Sequence, residues 1–142
     1  MTLAEALRDY LLTLPPVTSR VGARIYTLKF PQSVTAPALR LHEVDRISTM
    51  QLRGDQRIRR SRVQVDAVEA EAHGDPYDLA HALADAVRGD LASGSASGLV
   101  GFAGTVSGVV ITAILGDDRR EAYDAEARMV RVEQDFRVWF YV

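Results

Sequence analysis

Apolar residues recur at three- and four-residue steps at the start of the chain, where Leu3, Leu7, Leu11 and Leu14, flanked by Ala6 and Tyr10, form one stripe behind Thr2, a capping type. This spacing predicts a first helix. Pro15 and Pro16 end it in a turn, because proline lacks an amide donor and pushes its predecessor out of the helical region. Ile25, Tyr26, Leu28 and Phe30 predict a short strand, closed by Pro31 and paired briefly or at an edge. An imperfect alternation over residues 39–47 predicts another strand, and a cleaner one follows where Val63, Val65 and Ala67 alternate with Arg62, Gln64 and Asp66. Between them residues 53–60, Arg-Gly-Asp-Gln-Arg-Ile-Arg-Arg, show no apolar period and read as a hairpin loop.

Gly74-Asp75-Pro76 signals a second helix: Asp75 suits the cap, Pro76 the first helical position, and Asp78 adds favourable charge to the first turn. Leu79, Leu83, Val87 and Leu91 carry its apolar stripe, small alanines let it lie close to a sheet, and Gly94 or its neighbours stop it. Six of the ten glycines fall between Gly89 and Gly108, interleaved with serine, which predicts a flexible connection over about residues 93–108. Val109, Ile111, Ala113 and Leu115 alternate next, and Val130, Val132, Phe136, Val138 and Phe140 share one parity in the terminal strand. The expected fold is α+β, a small antiparallel sheet with two helices packed on one face, as a single domain over residues 1–142.

Composition narrows the chemistry. With 142 residues, 47% hydrophobic, the chain is long enough to bury a core without staples, and the absence of cysteine excludes disulfides, thiolate metal sites and thiol catalysis. The net charge of −2 offers no global basic field for nucleic acid, and no run approaches the length of a membrane span. His42, His73 and His81 are too dispersed for a helical metal pair. Gly94-Ser95-Ala96-Ser97-Gly98 follows a helix instead of preceding one, so it is no nucleophile elbow, and Gly101, Gly104 and Gly108 lack the lysine and following helix of a phosphate loop. No cofactor is implied. Asp117 and Asp118 are paired carboxylates with nothing nearby to desolvate them.

What stands out is charge arrangement. Residues 53–62 carry net +4 through Arg53, Arg57, Arg59, Arg60 and Arg62 against Asp55. Residues 117–126, read as a turn between two strands, carry net −3, with Asp117 and Asp118 beside Arg119 and Arg120. Opposite patches at different places on one subunit suit head-to-tail contact, which closes to a ring when the rotation per step divides a full turn. The expected interface residues are therefore Arg53, Asp55, Arg57, Arg59, Arg60, Asp117, Asp118, Arg119 and Arg120. Two solvated loops would carry the same charges.

The chain also resembles a known family through the order and spacing of its segments. They are the Leu-rich first helix, Gly22-Ala23-Arg24-Ile25-Tyr26, Pro31, Pro37-Ala38, Arg62-Val63-Gln64-Val65-Asp66, Leu83-Ala84-Asp85-Ala86-Val87-Arg88, Tyr123-Asp124, and the run from Arg131 to Phe140. In these it is similar to the tail completion, or tail terminator-like, proteins of long-tailed bacteriophages and related prophage or gene-transfer particles. The resemblance implies a noncatalytic virion protein, not an enzyme, forming a homohexameric ring at the head-proximal end of the tail tube. There it would end tail growth and join the tail to the head connector. Its implied partners are other copies of itself, the major tail tube protein and a head-tail connector or stopper protein, with DNA crossing the lumen unread and no membrane involved. Its implied location is the virion tail, reached from the host cytoplasm during assembly. A head-side neck protein of the same particle, or a small enzyme or ligand-binding module with its site under the glycine-rich segment, are the other classes the residues leave open.

Overall fold

The computed structural model describes residues 1–51, 54–71, 74–92 and 95–142, with the backbone alone at 49–51, 54–57, 91 and 92. Its elements run α1 (Leu3–Leu11), α2 (Pro15–Val21), β1 (Ile25–Thr27), β2 (Ala38–Gln51), β3 (Gly54–Ala70), α3 (Pro76–Arg88), β4 (Leu91–Ala92), β5 (Ser95–Ala96), β6 (Gly104–Val106), β7 (Val109–Asp124) and β8 (Met129–Tyr141). Thr2 opens α1 with a reciprocal cap: its hydroxyl accepts from the Glu5 amide at 3.2 Å, and its amide donates to the Glu5 carboxylate at 2.8 Å. That backbone hydrogen bond holds the Glu5 carboxyl below its ordinary range. The two prolines do not make a turn after the helix. They start α2, because a proline in the first helical turn gives up an amide that has no partner there.

The expected architecture is overturned in four respects. The main sheet has six strands in the order β1-β2-β3-β8-β7-β6 and curls into a half-barrel, strands dominate over helix, and three helices are present among the described residues. The sheet is also not wholly antiparallel, since β1 runs parallel to β2 from Ile25↔Leu39 to Thr27↔Leu41. The extra strand length comes from segments read as loops. Residues 54–60 extend β3, and residues 117–121 extend β7. Residues 117–121 are exposed, and a strand with solvent on both faces has no apolar face to impose a two-residue period, so its sequence looks like loop.

One face of the sheet carries the core. Leu39 and Leu41 of β2, Val63, Val65 and Ala67 of β3, and Val132, Phe136, Val138 and Phe140 of β8 share a parity and are buried with the apolar sides of the helices. Each large side chain so buried contributes roughly 1.5–3 kcal/mol. α3 is capped by Asp75, whose carboxylate accepts from the Tyr77 and Asp78 amides, and it presents Ala80, Leu83, Ala84 and Val87 inward. It ends at Arg88 with Gly89 at φ +66°, so Leu91 lies beyond the helix, in β4. Gln134 ties sheet to helix by donating to the Ala84 carbonyl at 2.9 Å.

The glycine-rich stretch is fastened to this core at several points. A Cβ on Gly98 would lie 2.6 Å from the Val87 carbonyl oxygen and 2.6 Å from the Gly89 nitrogen, so the two backbones meet where no side chain fits. The Leu99 amide donates to the Val87 carbonyl at 2.9 Å, and its side chain is fully buried. Tyr10 stacks on Phe102 with ring centroids 3.9 Å apart and donates its hydroxyl to the Gly98 carbonyl at 2.7 Å; burial pushes that phenol's pKa up.

Candidate assembly interface

The two charged segments singled out in the sequence belong to two long hairpins, and the strand pairing gives them different surroundings. Pairing of β3 with β8 stops at Arg59↔Phe140, whereas pairing of β3 with β2 continues to Gly54↔Gln51. β1 covers β2 only at residues 39–41. The far part of the β2–β3 hairpin is therefore a two-stranded arm that outruns the sheet. Arg53 lies outside the described residues, and Asp55 and Arg57 are strand positions described by backbone alone. Arg59 and Arg60 are half-buried at the root of the arm and make no ion pair among the described residues. Ile47 and Ile58 stand exposed beside them, at 48% and 44%. Below the arm, Arg46 pairs with Glu43 at 3.0 Å and sits 5.2 Å over the Phe140 ring, while Arg62 reaches Asp45 at 3.5 Å.

The acidic segment is not a turn. Asp117, Asp118, Arg119 and Arg120 are consecutive residues of β7, and the turn itself comes later, at residues 125–128. Their charges are largely engaged within the chain. Arg120 grips both carboxylate oxygens of Asp135, at 3.1 and 3.2 Å, and reaches Glu133 at 3.4 Å. Asp135 is only 4% exposed, and its hydrogen bonds hold the guanidinium proton more tightly than usual. On the other face Arg119 meets Asp85 at 2.8 Å, Gln134 at 2.9 Å and the His81 ring at 3.3 Å. Asp117 accepts from Arg137 at 3.1 Å, and Asp118 alone of the four has no ion pair among the described residues. Among the described residues the two patches do not meet directly; Arg60 and Arg137, the latter bound to Asp117, line one shallow pocket.

Sequence reasoning missed the polar groups buried on the face away from the helices. Asp66 is fully buried against Arg40 and accepts from Gln64 at 2.7 Å. The alternation that marked Gln64 and Asp66 as the wet side of a strand was correct for β3 alone, but Phe30 comes in over that face, 5.4 Å from the Arg40 guanidinium. Further along, residues 30–34 and the β7–β8 turn enclose a groove of about 590 Å³. Its walls are Phe30, Val34, Val68, Ala122 and Met129, with Asp124 and Glu126 at the turn. Asp124 shapes that turn by accepting from the Glu126 and Ala127 amides, both at 3.1 Å. Tyr123 donates its hydroxyl to Glu71, and that bond raises the phenol's pKa. His73 lies outside the described residues, and among those described no group of acidic residues and histidines is placed to hold a metal ion. No helix among them is long and apolar enough to cross a membrane.

Helices on one face of a curled mixed sheet, with a projecting hairpin arm, match the fold of a solved chain described as the virion of a native gene transfer agent particle. The likeness has a TM-score of 0.76 at 18% identity and covers 99% of this chain and 95% of that one. A second solved chain aligns over 97% of this chain and 91% of its own length, at 18% identity and a TM-score of 0.47. No curated protein sequence matches the chain. The family model for tail completion protein gp17 matches residues 5–141. The protein belongs to that family and is a structural tail protein of a phage-like particle.

Proposed function

We propose that this protein assembles as a single-domain subunit of a homohexameric ring at the head-proximal end of a phage-like tail tube, where it ends tube growth and joins the tail to the head connector. The match to the tail completion family over residues 5–141 carries this reading. The fold it shares with a chain of a gene transfer agent virion supports it. The work is adhesion and shape, not bond-breaking, and the contacts are made by copies of this chain, the tube protein and a connector or stopper protein. DNA crosses the lumen without being read; a net charge of −2 suits transit better than a strongly basic lining would. Among the described residues Arg59, Arg60 and Asp118 make no ion pair, which supports a role for them in contact with a partner. The protein works in the virion tail after assembly in the host cytoplasm.

Electron microscopy of the purified protein mixed with tail tubes tests this. Rings seated on one tube end are expected. Particles decorating the tube wall, or no binding to tubes that join heads when crude lysate is supplied, would overturn it.

A further inference from the structure

We infer that the helix-free face of the sheet, around Trp139, receives the acidic β7–β8 turn of a second copy of this chain. The inference rests on the ring reading and names which surfaces of two neighbours meet. Along β3, residues 60, 62, 64 and 66 share one parity, opposite to the core residues Val63 and Val65, so their side chains belong to that face. The half of the face nearer the β7–β8 turn is neutralised within the chain: Arg40 holds Asp66, and Arg120 holds Asp135 and Glu133. The half nearer the C-terminal end of β8 is different. Arg60 pairs across strands with Ile47 on one side and Trp139 on the other, and Arg62 with Asp45 and Arg137. Arg60 makes no ion pair among the described residues, while Arg62 and Arg137 each hold one carboxylate, Asp45 at 3.5 Å and Asp117 at 3.1 Å. A guanidinium carries several N–H donors, so one carboxylate leaves donors for another.

The turn offers the opposite charge. Residues 121–127 contain Glu121, Asp124 and Glu126 and no basic residue, and Asp124 and Glu126 are exposed and make no ion pair among the described residues. The turn's single cation, Arg128, comes last in it. Apolar surface matches as well: Ile47 and Leu115 are exposed beside the half-buried Trp139, and Tyr123 is exposed at the entry to the turn. Tryptophan and arginine gathered in one patch are the residue types that carry most binding energy once water is excluded. The turn adjoins Met129 and the patch centres on Trp139 of the same strand, so they stand roughly 33 Å apart and a subunit cannot dock its own turn. Donor and acceptor are different surfaces, which makes the contact heterologous, the kind that propagates head to tail and closes into a ring when the rotation suits.

Trp139 is the one tryptophan in the chain, so its fluorescence reads this patch alone. Acrylamide quenching is measured on the full chain below and above the concentration at which light scattering shows self-association, with and without tail tubes as seeds. Assembly is expected to cut the quenching constant about twofold, as the patch loses water. Glu126→Arg and Arg60→Glu are each expected to raise the concentration needed for assembly about tenfold, and the two together to recover most of that loss, because the charges are exchanged across the contact. Glu126 is an exposed turn residue, so an unchanged urea midpoint separates its effect from misfolding. Rings seated on tubes with Trp139 as quenchable as in the monomer overturn this contact and leave the tail-end function intact. Shielding with self-association but no seating on tubes overturns that function instead. Shielding by tubes that survives Glu126→Arg in full assigns the patch to the tube protein; that result, or a chain that never self-associates alone or on tubes, overturns the second-copy contact.

Discussion

The β2–β3 and β7–β8 hairpins look alike in the sequence, each a run of charge between two strands, but the fold uses them differently. β8 and α3 flank the β7–β8 hairpin, and they supply Asp135, Glu133, Gln134 and Asp85 to its two arginines. Arg59 and Arg60 of the β2–β3 hairpin also lie beside β8, but at Phe140 and Trp139, which offer no carboxylate, and they make no ion pair among the described residues. Charge beside carboxylates of an adjacent element becomes internal structure, and charge beside aromatic neighbours stays unpaired among the described residues. What decides between them is which side chains the adjacent strand and helix present, not the composition of the charged segment itself.

This contrast gives a graded set of expectations. Arg120→Ala should be the most destabilising, because it leaves the buried Asp135 carboxylate without its bidentate donor. The Arg120 side chain is 44% exposed, so solvent screens the pair and the loss should be about 2 kcal/mol, below the range for wholly buried pairs, read as a lower urea midpoint. Arg119→Ala should cost about 1 kcal/mol, since Asp85 is 68% exposed and only the Gln134 bond is sheltered. The double reversal Arg59→Glu, Arg60→Glu, at half-buried strand positions with no ion pair among the described residues, should cost about 1 kcal/mol or less while reducing the seating of rings on tubes in microscopy. If instead it unfolds the protein, the arm is a structural element and the contrast fails.

The smallest effect is on tyrosine titration. The Tyr123 and Tyr77 phenols are raised above about 10, first by their hydrogen bonds to Glu71 and Glu121. A raised phenol favours the folded state below its unfolded pKa, and that preference is lost as pH climbs through the folded value. Glu71→Gln should therefore lower the midpoint of one tyrosine in an ultraviolet titration. An unchanged curve would show that Tyr123 and Glu71 are apart in solution.

Local signals determined a good part of the molecule. The stripe of Leu3, Leu7 and Leu11, the Asp75-Pro76 start of α3 and the alternation from Val130 to Phe140 each report a buried face, and burial writes its period into the residues themselves. Pro15 and Pro16 were legible as a boundary but ambiguous in kind, since the same ring that ends one helix can begin another. Within the candidate interface, the opposite signs of the two charged segments were visible, but their settings were not. Residues 117–121 form an exposed stretch of strand without a core face, so no period marked them. Only the tertiary structure decided that Arg119 meets Asp85, that Phe30 closes over Arg40 and Asp66, and that residues 30–34 and the β7–β8 turn enclose a groove. These contacts join positions far apart in the chain, and a pairing set by which distant segments the fold lays side by side leaves no imprint on the residues beside it.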